Sequence, residues 1–114
     1  MLAIVDSGAA RSMFPWEIAQ RLGIDAALEP DAQGAMGVEG TGFPTWSHPG
    51  GIQGQVVRIP PANPAQPELW GPAFSMTPSF CHKSVFLLGR QDFFLTYRVL
   101  FHPATSAPPK FSIF

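Results

Sequence analysis

The chain alternates short apolar runs with turn residues, and few of its runs are long enough for a helix. Residues 1–5 form one unbroken apolar run, stopped by Asp6-Ser7-Gly8, which predicts a buried strand entering a turn. Trp16, Ala19 and Leu22 recur at helical spacing and predict a helix over 15–22. Pro15 suits its first turn, Glu17 sits where the helix dipole favours an acid, and Gly23 suits the stop. Residues 25–33 have little pattern and read as a loop. Residues 34–42 hold four glycines (Gly34, Gly37, Gly40, Gly42) around Met36 and Val38, which predicts a mobile hairpin whose backbone can approach a ligand.

Pro49-Gly50-Gly51 marks a turn, and residues 53–59 alternate as a strand does. Residues 60–72 carry five prolines and read as a surface loop. Residues 73–76, 84–88, 97–101 and 111–114 read as strands, with a short helical turn over 89–94. Many short strands with one or two short helices predict a mainly β, closed-barrel-like domain.

Composition narrows this picture. At 114 residues the chain is a single domain, 1–114, with room for one modest core. Apolar residues make up 46% and charged residues 13%, which excludes a disordered chain. The formal net charge of −1, with no cluster of Lys or Arg, argues against nucleic acid as a partner. Cys81 is the only cysteine, so no internal disulfide forms. Nothing approaches the roughly 18 apolar residues of a spanning helix, and no secretory leader is visible, so no membrane is expected and a cytoplasmic location is the default.

The candidate chemistry lies in Ile4-Val5-Asp6-Ser7-Gly8-Ala9, where an apolar strand delivers one acid to a turn of small residues. Two carboxyls that share a proton can activate water and protonate a leaving nitrogen, because like charges so close cannot both ionise; aspartic proteases are the standard example. Of the four aspartates, Asp6, Asp25, Asp31 and Asp92, only Asp6 has this setting. One such acid per chain implies a two-fold homodimer if the function is proteolysis. A turn-capping aspartate is the competing reading of Asp6. Ser7 as a nucleophile lacks the Gly-x-Ser-x-Gly elbow.

A second segment, Phe86-Leu87-Leu88-Gly89-Arg90 followed by Asp92-Phe93-Phe94, completes a pattern that resembles the retropepsin-like (retroviral-type) aspartic protease family, including its bacterial members. The resemblance spans most of the chain. It implies that Asp6 is the catalytic acid, that Ser7, Gly8 and Ala9 support the catalytic loop, and that Ser7 bonds across the dimer. Met36-Gly37-Val38-Glu39-Gly40 is similar to the family's flap, so Gly37, Val38, Glu39 and Gly40 are expected to close over a polypeptide substrate. Leu87, Leu88, Gly89 and Arg90 are expected to pass beside the catalytic loop and support it. The resemblance implies an aspartic endopeptidase without cofactor or metal.

Two departures stand out. The family's domains carry an N-terminal hairpin before the catalytic strand, whereas Met1 lies five residues ahead of Asp6, so the first hairpin is expected to be missing. Where many retroviral enzymes have an acid to pair with the arginine of the second motif, this chain has Ala10, leaving Arg90 to Asp92, a carbonyl or solvent. The alternative from another class is a non-catalytic peptide-binding or assembly module of the same fold. His48, His82 and His102 are scattered, and adjacent Cys81 and His82 would point apart on a strand, which is a poor metal site. Trp16, Trp46, Trp70 and the Phe-rich C-terminal third read as packing residues.

Overall fold

The computed structural model describes residues 4–5, 8–37, 40–58, 60–63, 65–101 and 111–113. Among the described residues, twelve strands and two short α-helices make a mainly β protein. Six strands form one sheet: β1 (Ile4–Val5), β2 (Met13–Pro15), β3 (Glu29–Pro30), β6 (Trp46–Ser47), β9 (Ser79–Cys81) and β10 (Leu87–Leu88), in the order β1-β10-β2-β9-β6-β3. β4 (Ala35–Met36) with β5 (Gly42–Phe43), β7 (Ile52–Arg58) with β8 (Glu68–Met76), and β11 (Val99–Phe101) with β12 (Phe111–Ile113) form three separate antiparallel pairs. No closed barrel is present among the described residues. The sheet strands are only two or three residues long, β1 and β3 each pair on one side, and the longest ladder pairs only with itself. Closure would need every strand to be paired on both edges. No helix among the described residues is long and apolar enough to cross a membrane.

Helix α1 (Trp16–Arg21) starts and stops much as its pattern predicts. Pro15 is the last residue of β2 and, with extended backbone (φ −67°, ψ 151°), becomes the N-cap. Glu17 lies in the first turn and Arg21 in the last, matching the dipole at both ends. At the stop Gly23 adopts φ +72°, its N–H donates to the Gln20 carbonyl (3.0 Å), and the Ile24 N–H donates to that of Ala19 (3.0 Å). This Schellman arrangement satisfies two helix-end carbonyls and requires a left-handed residue, which glycine supplies without strain. Ala19 is fully buried and seats the helix on a core of Phe14, Met76 and Phe80, with Trp16, Ile18, Leu28, Phe86 and Leu88 packed around it. Phe14 stacks on Phe86 (4.5 Å between centroids) and meets Phe80 edge-on (5.9 Å), tying β2 to β9 and to the approach to β10.

Four expectations need correction. The apolar run at the N-terminus was expected to be buried, but Ile4 is 64% exposed, because β1 lies at the sheet edge and pairs, among the described residues, with β10 alone. The expected loop over 60–72 ends early, since β8 begins at Glu68 and includes Gly71 and Pro72. Pairing jumps from Gly54↔Phe74 to Val56↔Trp70, so these residues sit in a bulge, where a proline without an N–H breaks no ladder. Only Leu87–Leu88 of the predicted strand 84–88 is extended, because the Val85 N–H turns back to the Lys83 carbonyl (2.9 Å). The featureless stretch 25–33 contains a 3₁₀ turn (Asp25–Ala27) and β3.

Candidate active-site cleft

A cleft of about 640 Å³ opens between the loop leaving β1 and the β4–β5 hairpin. Gly8, Ala9, Ala10 and Arg11 form one wall, and Gly34, Ala35, Met36, Gly37, Thr41 and Phe43 form the other. Met13, Thr45, Ser79 and Leu87 contribute from the sheet, and Lys83 and Val85 from the segment between β9 and β10. Asp6 and Ser7, the acid and hydroxyl singled out from the sequence, lie outside the described residues, as do Val38 and Glu39 of the hairpin tip. Val5 and Gly8, which flank the first pair, are described: Val5 pairs with Leu88, and Gly8 lines the cleft.

The glycines of the hairpin have distinct uses. Gly40 takes φ +78° and donates to the Gly37 carbonyl (3.0 Å), while Gly37 donates to that of Thr41 (3.0 Å), so the turn closes on itself. At Gly34 a Cβ would run into the carbonyl oxygen of Phe43, so only glycine lets the two arms of the hairpin approach so closely.

The second motif wraps the loop from below. Leu87 and Leu88 pair in parallel with Ile4 and Val5, and the Ile4 N–H donates to the Phe86 carbonyl (2.8 Å). The Arg90 N–H donates to the Ala9 carbonyl (3.0 Å) and the Gln91 N–H to that of Ala10 (2.9 Å). Gly89 is buried directly against the Arg11–Ser12 peptide, where a Cβ would lie 2.6 Å from the Arg11 carbonyl carbon and 2.9 Å from the Ser12 nitrogen. The loop therefore gets its shape from backbone-to-backbone contact with a segment far along the chain. The Arg90 side chain is exposed, and among the described residues it makes no ion pair.

Ser12, which the pattern did not single out, and Asp92 of the second segment lock this junction. Ser12, fully buried, donates its hydroxyl proton to Asp92 Oδ1 (2.5 Å) and accepts the Gly89 N–H (3.0 Å). Asp92, 6% exposed, also accepts the Phe93 N–H (2.8 Å) as N-cap of α2 (Phe93–Thr96). Asp92 is thus committed to Ser12 and its own helix. The N-cap preference of aspartate before a short apolar helix was a readable signal; nothing near Ser12 announces its partner 80 residues away.

A second polar cluster stands behind the Arg11 wall. Asp31 accepts hydroxyl protons from Ser47 (2.5 Å), Thr45 (2.6 Å) and Ser79 (3.3 Å), with the Arg11 guanidinium at 3.9 Å. Burial alone would raise the Asp31 pKa, but the hydroxyls of Ser47 and Thr45, the Arg11 charge and the Ser79 hydroxyl together hold it below its ordinary value. Arg11 Nη2 also donates to Ser47 Oγ (3.1 Å) and the Thr77 carbonyl (2.9 Å), which fixes the guanidinium along the cleft wall. The Lys83 ammonium lies 5.0 Å from the centre of the Phe43 ring, a cation–π contact that joins the β9–β10 segment to the hairpin.

Compared with family models, curated proteins and solved structures, the chain matches none.

Proposed function

We propose that this chain is one subunit of an aspartic endopeptidase in which Asp6 and its symmetry mate form the catalytic dyad of a homodimer. The observation that carries the reading is the cleft between a braced Gly8–Arg11 loop and a glycine-rich hairpin, with Asp6 two residues before Gly8 in sequence. A peptide extended in that cleft would lie between the two walls, held by backbone hydrogen bonds in the manner of strand addition. Water held by the shared-proton pair would attack the scissile carbonyl as one carboxyl accepts its proton and the other protonates the leaving nitrogen.

The remaining aspartates support the count of one catalytic acid per chain. Asp31 is held ionised by three hydroxyls and an arginine, which unfits it to shuttle a proton. Asp92 is bound to Ser12 and the Phe93 N–H. Asp25 opens a 3₁₀ turn and is absent from the described cleft lining. The exposed Ile4 on an edge strand beside Asp6 is a surface that a two-fold partner would cover.

Cleavage of a peptide library between about pH 4 and 7 by the wild type and Asp6→Asn tests the reading, with a loss of about a hundredfold or more expected in the variant. Equal cleavage by both would overturn it. Peptide binding without cleavage by the wild type would favour a binding module built on the same cleft. Sedimentation should find the active species to be a dimer; an active monomer would contradict the acid count.

A further inference from the structure

The cleft is lined by two cations, Arg11 and Lys83, and among its described lining residues there is no carboxylate. The two differ in how they are held. Arg11 has Asp31 behind it and spends Nη2 on Ser47 and Thr77, so much of its charge is answered from the protein side. Lys83 is exposed, and among the described residues its ammonium rests on the face of Phe43. That contact is a weak electrostatic one, and a carboxylate offers the ammonium a stronger, charge-assisted hydrogen bond. The lining also includes the apolar Met13, Met36, Val85 and Leu87, beside the hydroxyls of Thr41, Thr45 and Ser79. An exposed cation at the wall of a partly apolar trough attracts an anion that enters it, and the apolar surroundings lower the screening between them.

We infer that Lys83 is a specificity residue: the cleft selects extended peptides carrying one acidic side chain flanked by apolar ones, with the carboxylate seated on the Lys83 ammonium. The inference rests on the reading of this cleft as a peptide channel. Lys83 leaves the Phe43 ring when the acid arrives, so the same side chain that links the β9–β10 segment to the hairpin in the free protein would mark the presence of the right substrate. Arg11 adds to the field and stays in its wall position, because Asp31, Ser47 and the Thr77 carbonyl hold it there.

Binding and turnover separate the tests. Short apolar peptides that differ only by Glu or Gln at one position are titrated by fluorescence anisotropy against the full chain carrying Asp6→Asn. The Glu peptide is expected to bind about tenfold tighter than its Gln twin, and the advantage should shrink in high salt. Lys83→Gln should abolish that ratio, while Lys83→Arg should retain most of the preference. Equal binding of the two peptides, binding of neither, or a preference that survives Lys83→Gln would overturn the inference. If the preference is seen but the wild type cleaves neither peptide, the recognition stands and the endopeptidase reading falls. If the wild type cleaves both peptides with equal affinity, the endopeptidase reading stands and this inference falls.

Discussion

The cleft sheet and the β7–β8 ribbon stand at opposite ends of one trade. The ribbon has the longest strands among the described residues, seven and nine residues, and a nearly complete ladder. Yet most of it is exposed, with Leu69 at 72% and Val57 at 48%, and it touches the core at its base through Met76 and Phe74 and midway where Trp70 and Pro72 meet the buried Tyr97. The cleft sheet has strands of two or three residues, and its members include Phe80 and Cys81, both fully buried, next to the equally buried Ser12. Ladder length gives a strand its regularity. Rigidity at the cleft comes from side chains that bond across the sheet to backbone groups far away in sequence, in surroundings where an unmade bond is costly.

That contrast can be broken most severely at Gly89. Any Cβ there meets the Arg11–Ser12 backbone at 2.6 to 2.9 Å, and backbone has nowhere to move. Gly89→Ala is expected to lose about 3 kcal/mol of stability in denaturant titration. An unchanged midpoint would mean the two motifs do not pack as described. Ser12→Ala comes next. It strands a buried N–H and takes a donor from Asp92, for an expected cost of about 1–3 kcal/mol by the same measurement.

The Asp31 cluster predicts a pH dependence. Its folded pKa lies below that of an ordinary aspartate, so its contribution is present above the unfolded value and is lost as pH falls through the folded one. Thermal midpoints should therefore drop below roughly pH 4 in the wild type. Asp31→Asn should start from a lower midpoint at neutral pH and show less of that drop. A drop of equal size in the variant would assign the acid sensitivity to other carboxyls. The smallest effect belongs to the ribbon: Leu69→Lys is expected to change stability by less than about 0.5 kcal/mol, since the side chain is already in solvent. A larger loss would show that the ribbon is covered in solution.

Local signals were legible where one residue type answers a local demand. Gly23 stops α1 because the stop needs a positive φ, and Gly40 turns the hairpin for the same reason. Glu17, Arg21 and Pro15 mark the helix ends through dipole and φ preferences. Strands β2, β3, β6 and β9 left no such trace. Two or three residues cannot show a period, and Met13-Phe14-Pro15 and Ser79-Phe80-Cys81 become strands by pairing with each other and with β10 and β6 on their other sides. Pro72 pointed to a loop because a proline removes a donor, and a bulge made that loss harmless.

At the cleft the division is the same. The chain alone nominated the loop around Gly8, the glycine hairpin and the Leu87-Leu88-Gly89 segment, and the described residues of all three meet around one cavity or brace its wall. The chain alone did not nominate Ser12, Thr45, Ser47, Ser79 or Lys83. Hydroxyls and lysines are common on any surface, and their roles here arise from partners such as Asp92, 80 positions from Ser12, and Ser79, 48 positions from Asp31. Amino-acid order determined which backbone turns were possible, because φ preference and apolar runs are properties of neighbours. Folding alone decided which polar groups are buried together and which cation is left unanswered, because desolvation and charge pairing depend on distances that sequence separation does not record.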